Sequence, residues 1–201
     1  DYYNVIPCCG FINELGNVVI EQVYDDAKPM LKNYAWVKSG TESYREYLAE
    51  IDDYIYLPRG GLWGLINKDQ DQIVSPKYHY LQDPIGDYYI YGISVGKSCK
   101  YDKESIPYLR YGIVKYNGEE TTPAIYDKLV ILNNATSKAF RLEDNFSEAN
   151  SISSNVGHIG KWALVSNEGQ QLTDFIYDDI TCINCWSYIV RVGGIYDEDS
   201  S

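Results

Sequence analysis

An all-β repeat protein is the fold class that three observations predict for this chain of 201 residues. First, Tyr24, Tyr78, Tyr126 and Tyr177 each stand fourteen residues after a small residue, Gly10, Gly64, Gly112 or Ala163. A fixed interval recurring through a chain marks one supersecondary unit repeated, and such units bury their apolar faces against their neighbours. Second, six residues past each small residue come Gly16, Gln70, Gly118 and Gly169, and three glycines in four fit a hairpin turn that needs a positive φ. Third, 21 of the residues are Tyr and only one is Met, while long helical patterns are few, which argues for strands over a helix bundle.

The elements follow in order. The units open at Cys9-Gly10-Phe11-Ile12-Asn13, Trp63-Gly64-Leu65-Ile66-Asn67, Tyr111-Gly112-Ile113-Val114-Lys115 and Trp162-Ala163-Leu164-Val165-Ser166, each read as a first strand. A turn and a second strand ending at the tyrosine come next. Third strands are expected at Ala35-Trp36-Val37, Tyr89-Ile90-Tyr91, Ala139-Phe140 and Tyr188-Ile189-Val190. Fourth strands are expected at Tyr54-Ile55-Tyr56-Leu57 and Ile106-Pro107-Tyr108-Leu109, so that a unit holds up to four short strands.

These openings resemble the WG repeat (KWG) family, whose units begin with an aromatic-glycine pair, turn at a glycine and carry a tyrosine-aspartate pair. The copies here are divergent. A literal Trp-Gly stands only at Trp63-Gly64, and Tyr24-Asp25, Tyr126-Asp127 and Tyr177-Asp178 are joined by Tyr78-His79 in the second unit. The resemblance spans nearly the whole chain and implies a non-catalytic binding array from a bacterial protein.

Unit starts recur at intervals of about 50 residues, a length that suits a four-stranded propeller blade with its loops. Tyr2-Tyr3-Asn4-Val5-Ile6-Pro7 precedes the first unit as Tyr54 to Pro58 precedes the second, and the chain's last strand is of the third type. The expected architecture is therefore a four-bladed β-propeller-like ring, with residues 1–7 completing the last unit and no exposed sheet edge. A β-solenoid of stacked hairpins is the alternative. On either reading residues 1–196 form a single repeat domain with unit starts near 9, 63, 111 and 162, and 197–201 are an acidic tail.

A formal net charge of −12 opposes nucleic acid and anionic membrane surfaces, since phosphate recognition needs a positive field. No apolar run approaches a membrane span. Five cysteines, Cys8, Cys9, Cys99, Cys182 and Cys185, do not make a complete disulfide framework and point to a reducing cytoplasm, with a processed exported chain as the alternative. The pair Cys182 and Cys185 has metal or redox spacing but supplies only two ligands. Asn67, Asp69 and Asp71 imitate a calcium loop, yet Gln72 and Tyr78 occupy the places of its glycine and its bidentate Glu, so a polar hairpin tip is expected. Neither a metal nor another cofactor is implied.

No catalytic constellation emerges. The histidines are His79, in a repeat position, and His158, and the doubled acids Asp25-Asp26 and Asp178-Asp179 recur with the repeat. A turn or cross-unit bond is needed in every unit, an active site only once, so recurring acids read as structural. Residues the repeat does not explain are the better candidates: three insertions near Ser39 to Asp52, Ser94 to Ser105 and Glu143 to Asn155, expected over one face. Within the first, Ser43-Tyr44-Arg45-Glu46 forms a capping-box pattern and Tyr44, Tyr47, Leu48 and Ile51 follow helical spacing, which predicts a short amphipathic helix. Tyr44, Tyr47, Tyr101 and Phe146 are the expected partner-binding residues. The predicted function is a non-enzymatic, monomeric domain that holds a protein or peptide, with a carbohydrate-binding or cell-surface module, and then a propeller hydrolase, as alternatives.

Overall fold

The computed structural model describes residues 8–48, 53–97, 107–142, 160–184 and 186–193. Its first two strands, β1 (Cys9–Ile12) and β2 (Val18–Tyr24), explain the fourteen-residue interval. The residue before the small one pairs with the tyrosine: Cys9 faces Tyr24, Trp63 faces Tyr78, Tyr111 faces Tyr126, and Trp162 meets Tyr177 in an isolated bridge. The repeat is thus a bulged hairpin, because register shifts interrupt the three regular copies between that pair and the turn. At the turn Gly16, Gly118 and Gly169 have φ of 81°, 89° and 88°, and Gln70 adopts the same left-handed conformation at 68° without the freedom of glycine.

The small residue has its own cause. A Cβ on Gly64 would lie 2.8 Å from the Val74 carbonyl oxygen, and one on Gly10 would lie 2.5 Å from that of Ile20, so the bulged strand passes directly over it. Ala163 departs from glycine where the covering strand is lost. Residues 171–177 form no regular strand: isolated bridges at Val165–Gln171 and Trp162–Tyr177 flank the Leu172 and Thr173 N–H groups, which both donate to the Leu164 carbonyl, and the Leu164 N–H turns to Thr173 Oγ1 at 2.9 Å.

After each tyrosine the chain leaves one sheet and enters the next. Sheet 1 is β1–β2. Sheet 2 is the antiparallel meander β3 (Asp26–Ala27), β4 (Tyr34–Leu48), β5 (Asp53–Asn67) and β6 (Gln72–Tyr78). Sheet 3 repeats it with β7 (Tyr80–Leu81), β8 (Tyr88–Lys97), β9 (Pro107–Lys115) and β10 (Glu120–Tyr126). Sheet 4 contains β11 (Lys128–Ile131), β12 (Thr136–Leu142) and β13 (Gly160–Ser166), and sheet 5 contains β14 (Asp179–Asn184) and β15 (Ser187–Arg191). No helix occurs among the described residues.

Two expectations change here. The expected fourth strands are not separate elements: Tyr54 to Leu57 runs on into Trp63-Gly64 as β5, and Pro107 to Leu109 runs on into Tyr111-Gly112 as β9. A sheet therefore starts just past the tyrosine, and each sequence unit, counted from its opening residue, straddles the boundary between two sheets. Where a helix was expected within Ser43 to Ile51, Ser43 to Leu48 is instead the outer part of β4, paired with β5 from Ser43–Pro58 to Leu48–Asp53, and 49–52 lie outside the described residues. Tyrosine favours strands over helices, and a tyrosine-rich partner four residues away satisfies this backbone more fully than one short helix would. Of the other insertions, β8 takes up Ser94 to Lys97, while 98–106 and 143–159 lie outside the described residues, as does the acidic tail.

Apolar side chains lock consecutive sheets together. Ile20 of sheet 1 meets Ala35, Val37 and Ile66 of sheet 2; Trp36, Trp63 and Tyr78 of sheet 2 meet Leu81, Tyr89 and Tyr91 of sheet 3; Ile90 and Ile113 of sheet 3 meet Leu129, Ala139 and Val165 of sheet 4. The rings are tilted, with Tyr78 and Tyr91 centroids 4.5 Å apart and Trp36 and Tyr78 5.6 Å apart, as aromatic quadrupoles favour. Among the described residues β1 pairs only with β2 and β15 only with β14, so the sheets make a consecutive series without a closed ring. Residues 2–7, the expected closing strand, lie outside the described residues.

Gln70→Gly should stabilise the protein by about 0.5–1 kcal/mol, the left-handed penalty less the added freedom of the unfolded chain. Gly64→Ala should destabilise it by about 1–3 kcal/mol through overpacking. Urea unfolding of both variants checks the pair, and the opposite sign for either would reject its explanation.

Candidate functional site

The residue after each repeat tyrosine sits at the corner between sheets and works there with both its backbone and its side chain. The N–H groups of Asp25, His79, Asp127 and Asp178 donate to the carbonyls of Lys38, Gly92, Phe140 and Arg191 at 2.8–3.0 Å. Their side chains then accept an N–H farther along the same strand. Thr41 donates to Asp25 Oδ2 at 2.6 Å, Leu142 to Asp127 Oδ2 at 2.9 Å and Gly193 to Asp178 Oδ2 at 2.6 Å. In the second unit Ser94 N–H donates to His79 Nδ1 at 3.2 Å, so the histidine fills the aspartate's place as an acceptor.

Two corners add a cation from the residue before the unit's aromatic. Arg110 reaches the buried Asp127 at 2.8 Å, and Lys161 pairs with Asp178. Asp127 also accepts from the Tyr108 hydroxyl, whose pKa is pushed up to about 12 by burial and then by that carboxylate. This corner borders a shallow cleft of about 400 Å³ lined by Arg110, Ala124, Ile125, Asp127, Arg141 and Leu142. Arg141 lies over the rings of Tyr126 and Phe175, 5.2 and 4.8 Å from their centroids. The cleft's one carboxylate is already held by structural bonds, whereas general acid and base work on a glycoside needs two.

A second polar cluster joins sheets 2 and 3. Glu120 accepts from the Tyr78 hydroxyl at 2.7 Å, from the Tyr91 hydroxyl at 3.0 Å and from Lys77 Nζ at 2.8 Å. Burial alone would raise the Glu120 pKa, but Lys77 and the two phenols outweigh it and hold the carboxyl below its ordinary value. Burial first, and Glu120 second, push Tyr78 and Tyr91 well above the ordinary phenol range. These groups cement the sheet interface.

The sequence-predicted site residues fall differently. Tyr44 and Tyr47 are in β4, at register positions facing Leu57 and Tyr54 of β5. Tyr101 and Phe146 lie outside the described residues, as do His158, Cys99 and Cys185. The Asn67 to Asp71 stretch is a hairpin tip in which Asn67 Oδ1 accepts the N–H groups of Asp69 and Asp71 at 2.9 and 2.8 Å. Among the described residues no group of three His, Cys, Asp or Glu side chains is placed to hold a metal. Sequence reasoning missed the cleft and Arg141. A basic residue one place before the aromatic, Arg110 and Lys161, was the available signal for the charged corners.

The carboxyl of Glu120 is depressed, so its stabilisation is complete above pH 4.5 and is lost as pH falls through the lower folded value. Tyr78 and Tyr91 are raised, so their contribution is complete below pH 10.0 and is lost as pH rises beyond it. Melting curves across pH should show Glu120→Gln less stable than the parent at neutrality, with the difference narrowing in acid, and Tyr78→Phe losing less stability in alkali. A pH-independent difference for both would remove the network from this account.

Residues 10–40 and 63–92 match the family described as WG containing repeat. Each match begins at or beside the small residue and runs through the hairpin and the corner into the long strand of the next sheet. No curated protein and no solved structure matches the chain. The two matched segments have the same strand order and the same corner bonds, so the chain carries divergent copies of the WG repeat.

Proposed function

We propose that the chain is a non-enzymatic repeat domain that holds a protein or peptide partner, and that the partner seats on the outer part of the β4–β5 hairpin. The observation that carries this reading is a two-stranded ribbon with open sides. Sheet 2 flanks β4 from Trp36 to Lys38, through β3 and Lys28, and flanks β5 from Trp63 to Ile66, through β6. Beyond Thr41 and Gly60 the two strands continue paired to Leu48 and Asp53 with no third strand among the described residues. Gly40, Gly60 and Gly61 take positive φ where the ribbon leaves the sheet. Exposed strand edges present unpaired N–H and C=O groups, which extended peptides recognise by adding a strand. Tyr44, Tyr47, Tyr54 and Tyr56 supply aromatic residues of the kind that dominate such interfaces.

The repeated acids support the non-enzymatic part of the reading, because their corner bonds account for them without chemistry. Selection of displayed peptides against the intact chain provides a ligand for the test. Replacing residues 42–59 by an Asn-Gly turn should keep the β-sheet circular dichroism and abolish binding of the selected peptide. Tyr44→Ala and Tyr47→Ala together should weaken it by about 2 kcal/mol or more. Undiminished binding by the folded, ribbon-less variant would overturn the proposal.

A further inference from the structure

The first and last sheets are complementary halves of the four-stranded sheet that the interior of the chain builds in full twice and, in sheet 4, with its fourth strand reduced to bridges. The corner bonds set the equivalence, since Asp25, His79, Asp127 and Asp178 donate to Lys38, Gly92, Phe140 and Arg191. Lys38, Gly92 and Phe140 then pair with the unit-opening residues Trp63, Tyr111 and Trp162 on the following strand. Arg191 has no following strand among the described residues. At the other end, Cys9 is the unit-opening residue of β1, which has no strand before it among the described residues. Carrying the register across gives Arg191 opposite Cys9, Val190 opposite Gly10, Ile189 opposite Phe11 and Tyr188 opposite Ile12.

Exposure accompanies the missing partner, because in the interior the equivalent side chains pack against the sheets on either side. Ile189 is 59% exposed where its equivalents in sheets 2 and 3, Trp36 and Ile90, are each 1% exposed, the sheet 4 equivalent being Lys138, and Val190 is 44% exposed where Val37 is 2%. Across the join, Ile12 is 67% exposed where Ile66 is 4%. Residues that are core in the interior sheets lie open at these two edges, and each edge lacks the partner that the other offers. Neither strand of sheet 1 packs extensively on either strand of sheet 5. Sheet 1 is fixed to sheet 2 through Ile20, and sheet 5 to sheet 4 by Lys138–Asp179 at 2.8 Å and by Tyr188–Thr136 hydroxyls at 2.6 Å.

We propose that the β15 edge of one copy pairs with the β1 edge of a second copy, head to tail, completing a four-stranded sheet of order β14–β15–β1–β2 between chains. Open apolar edges drive such pairing, and a heterologous contact of this kind builds chains or larger rings. Because Arg191 and Ile189 turn their backbone groups toward β14, Val190 points its N–H at the open side. Proline is accepted in an edge strand whose N–H faces outward, so Val190→Pro leaves the fold intact and blocks the pairing.

Light scattering on the wild-type chain should give a mass above the 23.0 kDa of one copy that rises with concentration, and Val190→Pro should return the mass to one copy. In a background with Cys8, Cys99, Cys182 and Cys185 changed to Ser, Arg191→Cys should form, on mild oxidation, a disulfide with the native Cys9 that yields a ladder on a non-reducing denaturing gel. A wild-type mass of one copy at all concentrations would overturn the proposal. So would a disulfide formed only within single chains, because the two edges would then close on each other in one molecule.

Discussion

The two-part hydrogen bond at the corner after each repeat tyrosine is the constraint on which the rest of the structure depends. One residue must donate its N–H to the second strand of the next sheet and accept, with its side chain, a second N–H farther along that segment. This fixes how far the chain turns between sheets and which residue of the long strand faces the next unit-opening residue. Packing then follows from register. Ala35, Tyr89 and Ser137 are all buried because the corner places them at one equivalent position.

The corner also explains which substitutions the repeat has tolerated. An acceptor is required, and charge is not, so imidazole serves at His79 with its Nδ1. The small residue beneath the bulge is required only where a strand lies over it, so Ala163 stands where that strand has loosened into bridges. A left-handed residue is required at the turn, and Gln70 bears the strain there. Each departure from the pattern is local and leaves the register of the neighbouring sheets unchanged.

Spacing made the hairpins, the turn positions and the long strands legible in the sequence, because a bulged pair with a fixed loop must recur at a fixed interval. The frame of the sheets was less legible. Tyr54 to Leu57 reads as a strand of its own because Pro58 and two glycines separate it from Trp63, and only the pairing with β4 shows that one strand passes through them. Helical spacing of Tyr44, Tyr47 and Leu48 was a coincidence of a tyrosine-rich ribbon, since long-range pairing outweighs a local pattern of three residues. The open edges of β1 and β15 were hidden for a related reason: an apolar residue in a strand looks the same in sequence whether or not its neighbour is present.

The half-step between hairpin and sheet has a bearing on how such a protein changes length. Duplicating or deleting one whole hairpin frame inserts or removes the second half of one sheet together with the first half of the next. The cut ends rejoin into a complete sheet every time, and the terminal surfaces are left as they were. Gene-level expansion in this frame can therefore lengthen the array without disturbing the half-sheets β1–β2 and β14–β15.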